Sequence, residues 1–191
     1  MTTRAIALDR AGVKTQTLAV LTAVIAAVAL PQILHIVGAV SGLGTALGQT
    51  FLPMYLPIIL VGFMAGAFAG AAAGMAAPLL SFALTGMPTA IMLPILMTEL
   101  TVIGFAAGML RSLKLASFGK LILVQLAGKA AYALAILAAV YVFGSETLGT
   151  GQILASIQIG LPGFLLQWAL VPLILFRVEN RKRGEEQEEA R

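Results

Sequence analysis

The chain has 191 residues, of which 60% are hydrophobic and only 10% charged, with a formal net charge of +4 and no cysteine. A water-soluble domain is nearer half apolar and a quarter charged, so this composition excludes an ordinary soluble fold and predicts one integral membrane domain. The lack of cysteine excludes disulfides and thiolate chemistry.

The chain begins with a polar, basic segment at residues 1–16, and an apolar run follows at 17–37. The run resembles the core of a signal peptide, with a cleavage-like motif at 27–29, but its length favours a membrane-spanning helix. Small residues spaced by four occur along it, a pattern that permits close helix approach and also arises by chance. These residues are Ala19, Ala23 and Ala27.

The next stretch, 51–88, contains no charged residue and is too long for a single crossing. Because basic loops stay in the cytoplasm, the distribution of Lys and Arg decides how often it crosses. Two short helices in this stretch place every basic group on one side of the membrane, whereas one helix does not. The basic groups lie at 4–14, 111–120 and 177–191, and the connections without Lys or Arg at 38–50, 85–88 and 144–150.

The sequence therefore predicts an all-α membrane protein with six transmembrane helices and both termini in the cytoplasm. The division of the charge-free stretch falls in a row of glycines spaced by four, which also indicates closely packed helices, with ligand contact as the alternative. The row is Gly62, Gly66, Gly70 and Gly74. The predicted helices are 17–37, 52–66, 67–84, 89–110, 116–143 and 151–176.

The C-terminal segment 177–191 passes from basic to acidic and has few apolar residues. Such a composition is typical of a solvated, disordered tail, which we expect here in the cytoplasm. The predicted organisation is thus a cytoplasmic segment at 1–16, a six-helix substrate-binding domain at 17–176, and this tail.

Two ionisable side chains, Glu99 and Lys129, fall near mid-depth in the predicted helices. Charged groups there are costly, so we interpret them as part of a ligand site, with a structural ion pair as the alternative. Gln125 and Tyr132 lie one turn before and one turn after Lys129 and extend the same helix face. His35, the only histidine, shares a face with Gln32. The predicted substrate-binding residues are Gln32, His35, Glu99, Gln125, Lys129, Tyr132 and Gln158.

Several activities are disfavoured by the absence of their motifs. The chain has no GxxxxGK[ST] phosphate loop, no HExxH metal motif and no GxSxG elbow. It has no second histidine or cysteine to complete a metal site with His35, and no basic, aromatic-rich surface for nucleic acid. We therefore expect no enzyme activity, no catalytic residue, no metal and no cofactor.

Four stretches of the chain resemble the S components of energy-coupling factor (ECF) transporters, the bacterial vitamin importers, and the resemblance covers about residues 15–178. It rests on size, on six crossings and on the stretches AVLTAVIAA, FLPMYLPIILVGFMAGAFAG, SFALTGMP and LPILMTELTVIGFAAGML. The resemblance implies a subunit of the bacterial cytoplasmic membrane that binds a vitamin from outside. It also implies as partners a membrane coupling protein and two ATPase subunits.

Three local roles follow from the resemblance. The alanine row of the first helix would dock on the coupling protein, and the loop 38–50, with Gly42, Gly44 and Gly48, would close over the ligand as a lid. The ligand would lie in the outer half of the bundle.

Lys129 and His35 favour a carboxylate such as pantothenate. Cobalamin, a thiamine precursor, folate and a queuosine precursor stay open, and the scarcity of aromatic residues argues against flavin.

Two other functions remain compatible with the sequence. One is a small secondary transporter driven by protons or sodium, in which Glu99 would be the coupling carboxylate. A repeat of its two halves would favour this function, but the glycine row of the second and third helices has no counterpart in the fifth and sixth. The other is a membrane accessory or assembly protein that binds no ligand.

Overall fold

The structure is a computed structural model that describes residues 13–189, with side chains described for residues 14–181. This part of the chain folds into seven α-helices and contains no β-strand. The helices are α1 (Val13–Val40), α2 (Ala46–Phe51), α3 (Tyr55–Ala65), α4 (Ala67–Thr85), α5 (Leu93–Leu110), α6 (Ser117–Tyr141) and α7 (Gly151–Glu189).

The helices supply six segments that are long and apolar enough to cross a membrane. Five are formed by α1, α4, α5, α6 and α7, and the sixth, Ala46–Ala65, combines α2 and α3. A helix satisfies all its backbone hydrogen bonds internally, which is what a segment in lipid requires. The prediction of an all-α, multi-pass membrane protein is therefore confirmed.

The charge-free stretch divides at Gly66, which separates α3 from α4. Gly66 has a φ of 106°, a backbone conformation that residues with a Cβ rarely adopt. A Cβ placed there would also lie 3.1 Å from Nη1 of Arg111. Both observations favour glycine at this turn, and the predicted boundary between residues 66 and 67 is confirmed.

Helix α3 lies at the centre of the bundle, and most of its residues are buried. It packs against α1, α4, α5 and α7. Around it, the contacts run from α1 to α4, α5, α6 and α7, and then through α2 back to α1. Six alternating crossings in this arrangement put the start of α1 and the end of α7 at the same end of the bundle.

The glycines predicted to permit close helix packing do so where α3 and α4 pack against α5. A Cβ on Gly62 would lie 2.6 Å from the carbonyl oxygen of Gly104. Gly70 and Gly104 meet backbone to backbone, and Gly74 lies against the backbone of Leu100. The packing interpretation of the glycine row is thus confirmed for three members, whereas Gly66 forms the turn.

The predicted lid loop 38–50 is shorter than expected. Helix α1 continues to Val40, and α2 begins at Ala46, so only five residues connect them. Gly42 and Gly44 turn the chain here with φ values of 75° and 56°. Helix α2 is held by its contacts with α7 and α1, where a Cβ on Gly48 would lie 2.8 Å from Nε2 of His35. Tertiary packing therefore makes this glycine-containing segment helical.

In the segment 177–191, for which the sequence predicts a disordered tail, α7 continues to Glu189. Most residues beyond position 176 are Arg, Lys, Glu and Gln, which favour helix where no other structure competes. The helix thus extends past the last residue of the membrane-spanning segment, Arg181. Of the predicted N-terminal segment, residues 1–12 lie outside the described part of the chain.

Candidate functional site

A cavity of about 510 Å³ lies within one end of the bundle. Its walls come from the C-terminal halves of α1 and α4, the N-terminal halves of α5 and α7, the middle of α6, α2 and the start of α3. The connections 41–45, 52–54 and 86–92 complete them. Most of the lining is apolar, and a smaller set of polar and ionisable side chains converges on the interior. This set comprises Gln32, His35, Thr45, Gln49, Tyr55, Ser81, Thr89, Glu99, Lys129, Tyr132, Gln152 and Ser156.

Glu99 and Lys129 form an ion pair in the wall of this cavity. The distance from Lys129 Nζ to Glu99 Oε1 is 2.8 Å, and the side chains are 13% and 0% exposed, respectively. The two residues come from the adjacent helices α5 and α6. The structural alternative, an ion pair, is therefore observed, and both of its residues line the cavity.

Three aromatic rings surround the Lys129 ammonium. Nζ lies 4.9 Å from the ring centroid of Tyr132, 5.6 Å from that of Phe164 and 5.7 Å from that of Tyr55. Aromatic faces attract a cation at these distances, most strongly where water is excluded. The rings and the carboxylate together stabilise a charge that would otherwise be costly at this depth.

Two buried acceptors in the cavity wall lack a hydrogen-bond donor. Glu99 Oε2, the oxygen not paired with Lys129, and Oε1 of Gln152 accept no hydrogen bond of normal geometry from the described residues, although the Tyr55 side chain lies beside the Glu99 carboxylate. Both residues line the cavity, from α5 and α7. An unpaired buried acceptor costs free energy, so a ligand that donates to these oxygens would be stabilised.

Five of the seven predicted substrate-binding residues line the cavity. They come from α1, α5 and α6, which the topology brings together. Gly48 of the predicted lid also lines it, whereas Gly42 and Gly44 do not. The five residues are Gln32, His35, Glu99, Lys129 and Tyr132.

Gln125 lies outside the cavity and joins α6 to α7, which corrects its predicted role. Its Nε2 donates to Oε1 of Gln167 at 2.9 Å, and its Oε1 accepts from Nε1 of Trp168 at 2.6 Å. Gln125 and Gln167 are both buried. These partners satisfy the Gln125 side chain within the protein, so it is a structural contact between two helices.

Gln158 is exposed and does not line the cavity, so its predicted role in ligand binding is also corrected. The face of α7 that does line the cavity carries Gln152, Ala155, Ser156 and Ile159. Their spacing of three and four residues is that of one helical face, and Gln158 falls outside it. Gln152 and Ser156 are four residues apart, and this spacing is the sequence pattern that could have indicated a shared polar face.

The alanine row of α1 faces the interior. Ala23 and Ala27 are 7% and 0% exposed and belong to the hydrophobic core, and Ala19 packs against that core. Helix α1 packs on α3 and α4, so the small side chains permit contact within the protein itself. A partner cannot reach Ala23 or Ala27 in this structure, which corrects the predicted exposed docking row.

The two ends of the bundle differ in charge. The connections at the cavity end, 41–45, 86–92 and 142–150, contain no Lys or Arg. Within the described part of the chain, the Lys and Arg residues at the helix termini and in the connections between helices lie at the opposite end of the bundle. There, Lys120 is buried in the first turn of α6 and donates from Nζ to the carbonyl oxygen of Arg111 at 2.8 Å. The basic residues at that end are Lys14, Arg111, Lys114, Lys120, Arg177 and Arg181.

Among the described residues, no group of three or more His, Asp or Glu side chains could hold a metal ion. Comparison of the chain with protein-family models, with curated proteins and with solved structures finds no match.

Proposed function

We propose that this protein is the substrate-binding S component of an ECF-type importer, located in the bacterial cytoplasmic membrane. The observation that carries the proposal is the cavity of about 510 Å³ at the bundle end without basic loops, with the Glu99–Lys129 ion pair in its wall. A mostly apolar cavity with a few converging polar groups is typical of a small-molecule site. The ligand would be a vitamin or related micronutrient captured from outside.

The division of labour among the subunits accounts for the rest of the sequence. The chain lacks a phosphate-binding loop, so energy would come from two ATPase subunits acting through a coupling protein. The chain itself would bind and deliver the ligand without enzyme activity and without a cofactor. This assignment of partners rests on the resemblance of the four sequence stretches.

An ion-coupled secondary transporter is less well supported by the geometry. A coupling carboxylate must exchange its ion during transport, whereas Glu99 is fully buried and already paired with Lys129 at 2.8 Å. An internal repeat of the two halves would favour such a transporter, and the sequence shows no such repeat. We therefore retain the binding subunit as the proposal.

The proposed orientation places both termini in the cytoplasm and the cavity end outside, because basic ends of membrane helices remain in the cytoplasm. The chain contains no cysteine, so single Ser→Cys changes report on each end separately. We expect an impermeant thiol reagent to label Ser41→Cys and Ser145→Cys in intact cells, but Ser112→Cys only after permeabilisation. The reverse pattern would place the cavity on the cytoplasmic side and contradict import.

Copurification tests the partner assignment. The tagged full chain is expressed together with the coupling protein and the two ATPase subunits of its own organism, and with an unrelated tagged six-helix membrane protein as control. We expect the three partners to purify with this chain in a fixed ratio and not with the control. Recovery of the chain alone, when all partners are present in the membrane, would refute the assignment.

A further inference from the structure

We infer that the ligand of this cavity is an uncharged molecule with hydrogen-bond donor groups at two positions, one for Glu99 Oε2 and one for Gln152 Oε1. The inference rests on the proposed function and specifies the substrate class of the same site. It departs from the carboxylate ligand that the sequence favours, because that expectation required a free charge on Lys129.

The charges that line the cavity already balance. Lys129 Nζ lies 2.8 Å from Glu99 Oε1. Apart from these two residues, no Lys, Arg, Asp or Glu lines the cavity. His35 also lines the cavity, where its ring packs against Gly48 of α2. A ligand with a net charge would leave water for this low-dielectric interior without a free counter-charge, and such a transfer is costly.

An anion is disfavoured for a second reason, which is the type of polar atom that the cavity leaves unpaired. Glu99 Oε2 and Gln152 Oε1 are both acceptors, and Glu99 is fully buried. A carboxylate or phosphate offers these oxygens no donor, and it would be repelled by Glu99. An amide, alcohol or ring N–H group instead donates to them and removes the cost of an unpaired buried acceptor.

The two acceptors belong to different helices, α5 and α7, whose backbones are separated by α3 and α6. A ligand that reaches both oxygens therefore carries its donor groups at two separate positions. The walls between these points are largely apolar and include Leu52, Leu96 and Ile159. The body of the molecule would accordingly be apolar or aromatic.

Retention of small molecules by the purified full chain tests this inference. The protein in detergent is incubated with a deproteinised yeast extract and washed, and the retained molecules are identified by mass spectrometry. Gln152→Leu is compared with Gln158→Leu, because these glutamines lie on the same helix and only Gln152 lines the cavity. Melting curves of both variants verify that they are folded.

We expect the unmodified protein and Gln158→Leu to retain a molecule without an ionised group and with at least two donors. Retention by Gln152→Leu should fall by roughly tenfold or more, as for the loss of one hydrogen bond to a buried acceptor. The charge of the molecule is read from the unmodified protein, so this result does not depend on how the variants fold.

The remaining outcomes separate the inference from the proposed function. Retention of an ionised molecule, or equal retention by the two glutamine variants, would overturn the inference and leave a binding subunit in place. If the unmodified protein retains no small molecule from the extract, the proposed function itself is contradicted, and the inference falls with it.

Discussion

Replacing Gly104 with alanine is expected to lower the free energy of unfolding in detergent by about 3 kcal/mol or more, the upper end of the range for overpacked interiors. The added methyl group would overlap the backbone carbonyl of Gly70, at the contact between α4 and α5. Backbone atoms cannot rotate away as a side-chain end can, so the two helices must separate. Thermal or denaturant unfolding of the purified protein measures the loss.

Gly119→Ala is the matched control for this prediction. Gly119 also lies in a helix, but a Cβ built on it meets no other atom within 4 Å. Because alanine favours helix over glycine by roughly 1 kcal/mol in helix interiors, this variant should be as stable as the unmodified protein or slightly more stable. Equal stability of the two alanine variants would show that α4 and α5 do not meet at their glycines.

Replacing Lys129 with methionine is expected to destabilise the ligand-free protein by about 3–5 kcal/mol, the cost of leaving one member of a buried ion pair without its partner. Glu99 is fully buried, and its carboxylate would lose the cation that lies 2.8 Å away. Glu99→Gln should cost less, because the Lys129 ammonium keeps three aromatic rings around it and is partly exposed.

The double variant Glu99→Gln with Lys129→Met should recover most of the stability that Lys129→Met loses, because it leaves no unpaired charge. Lys114→Met controls for the loss of a lysine as such. Lys114 is exposed in the connection between α5 and α6, and its replacement should change stability by less than about 0.5 kcal/mol. Additive losses in the double variant would show that the two residues act independently.

Several features of the fold could be predicted from the sequence because they depend on composition and local pattern. The boundary at Gly66 followed from the distribution of basic residues together with the spacing of the glycines. The depth of Glu99 and Lys129 followed from counting residues along apolar segments. Such arguments need only the chain order and the thickness of the membrane.

Features that depend on the rotation of a helix about its axis could not be predicted in the same way. The alanine pattern of α1 indicates close packing, but it does not state whether the partner is another protein or, as observed for Ala23 and Ala27, the core of the same chain. The pairing of Gln125 with Gln167 joins residues 42 positions apart, and no local pattern indicates it. Helix α2 likewise depends on contacts with α1 and α7.

The Glu99–Lys129 pair illustrates how a correct location can lead to an incomplete chemical interpretation. The sequence places a lysine deep in the membrane and therefore favours an anionic ligand. The structure places a carboxylate against that lysine, and the charge available to a ligand is removed. What remains in the cavity wall is a pair of buried acceptors without a hydrogen-bond donor, which neither residue type nor spacing revealed.

The central claim, that this chain captures a small molecule for an ATP-driven importer, is tested most directly by uptake. Cells that express the chain with the coupling protein and the ATPase subunits are given the isotopically labelled form of the molecule that the purified chain retains. We predict accumulation only when the ATPases are active, and none when the chain is expressed alone. Accumulation by the chain alone that collapses when an ionophore abolishes the ion gradient would contradict the account.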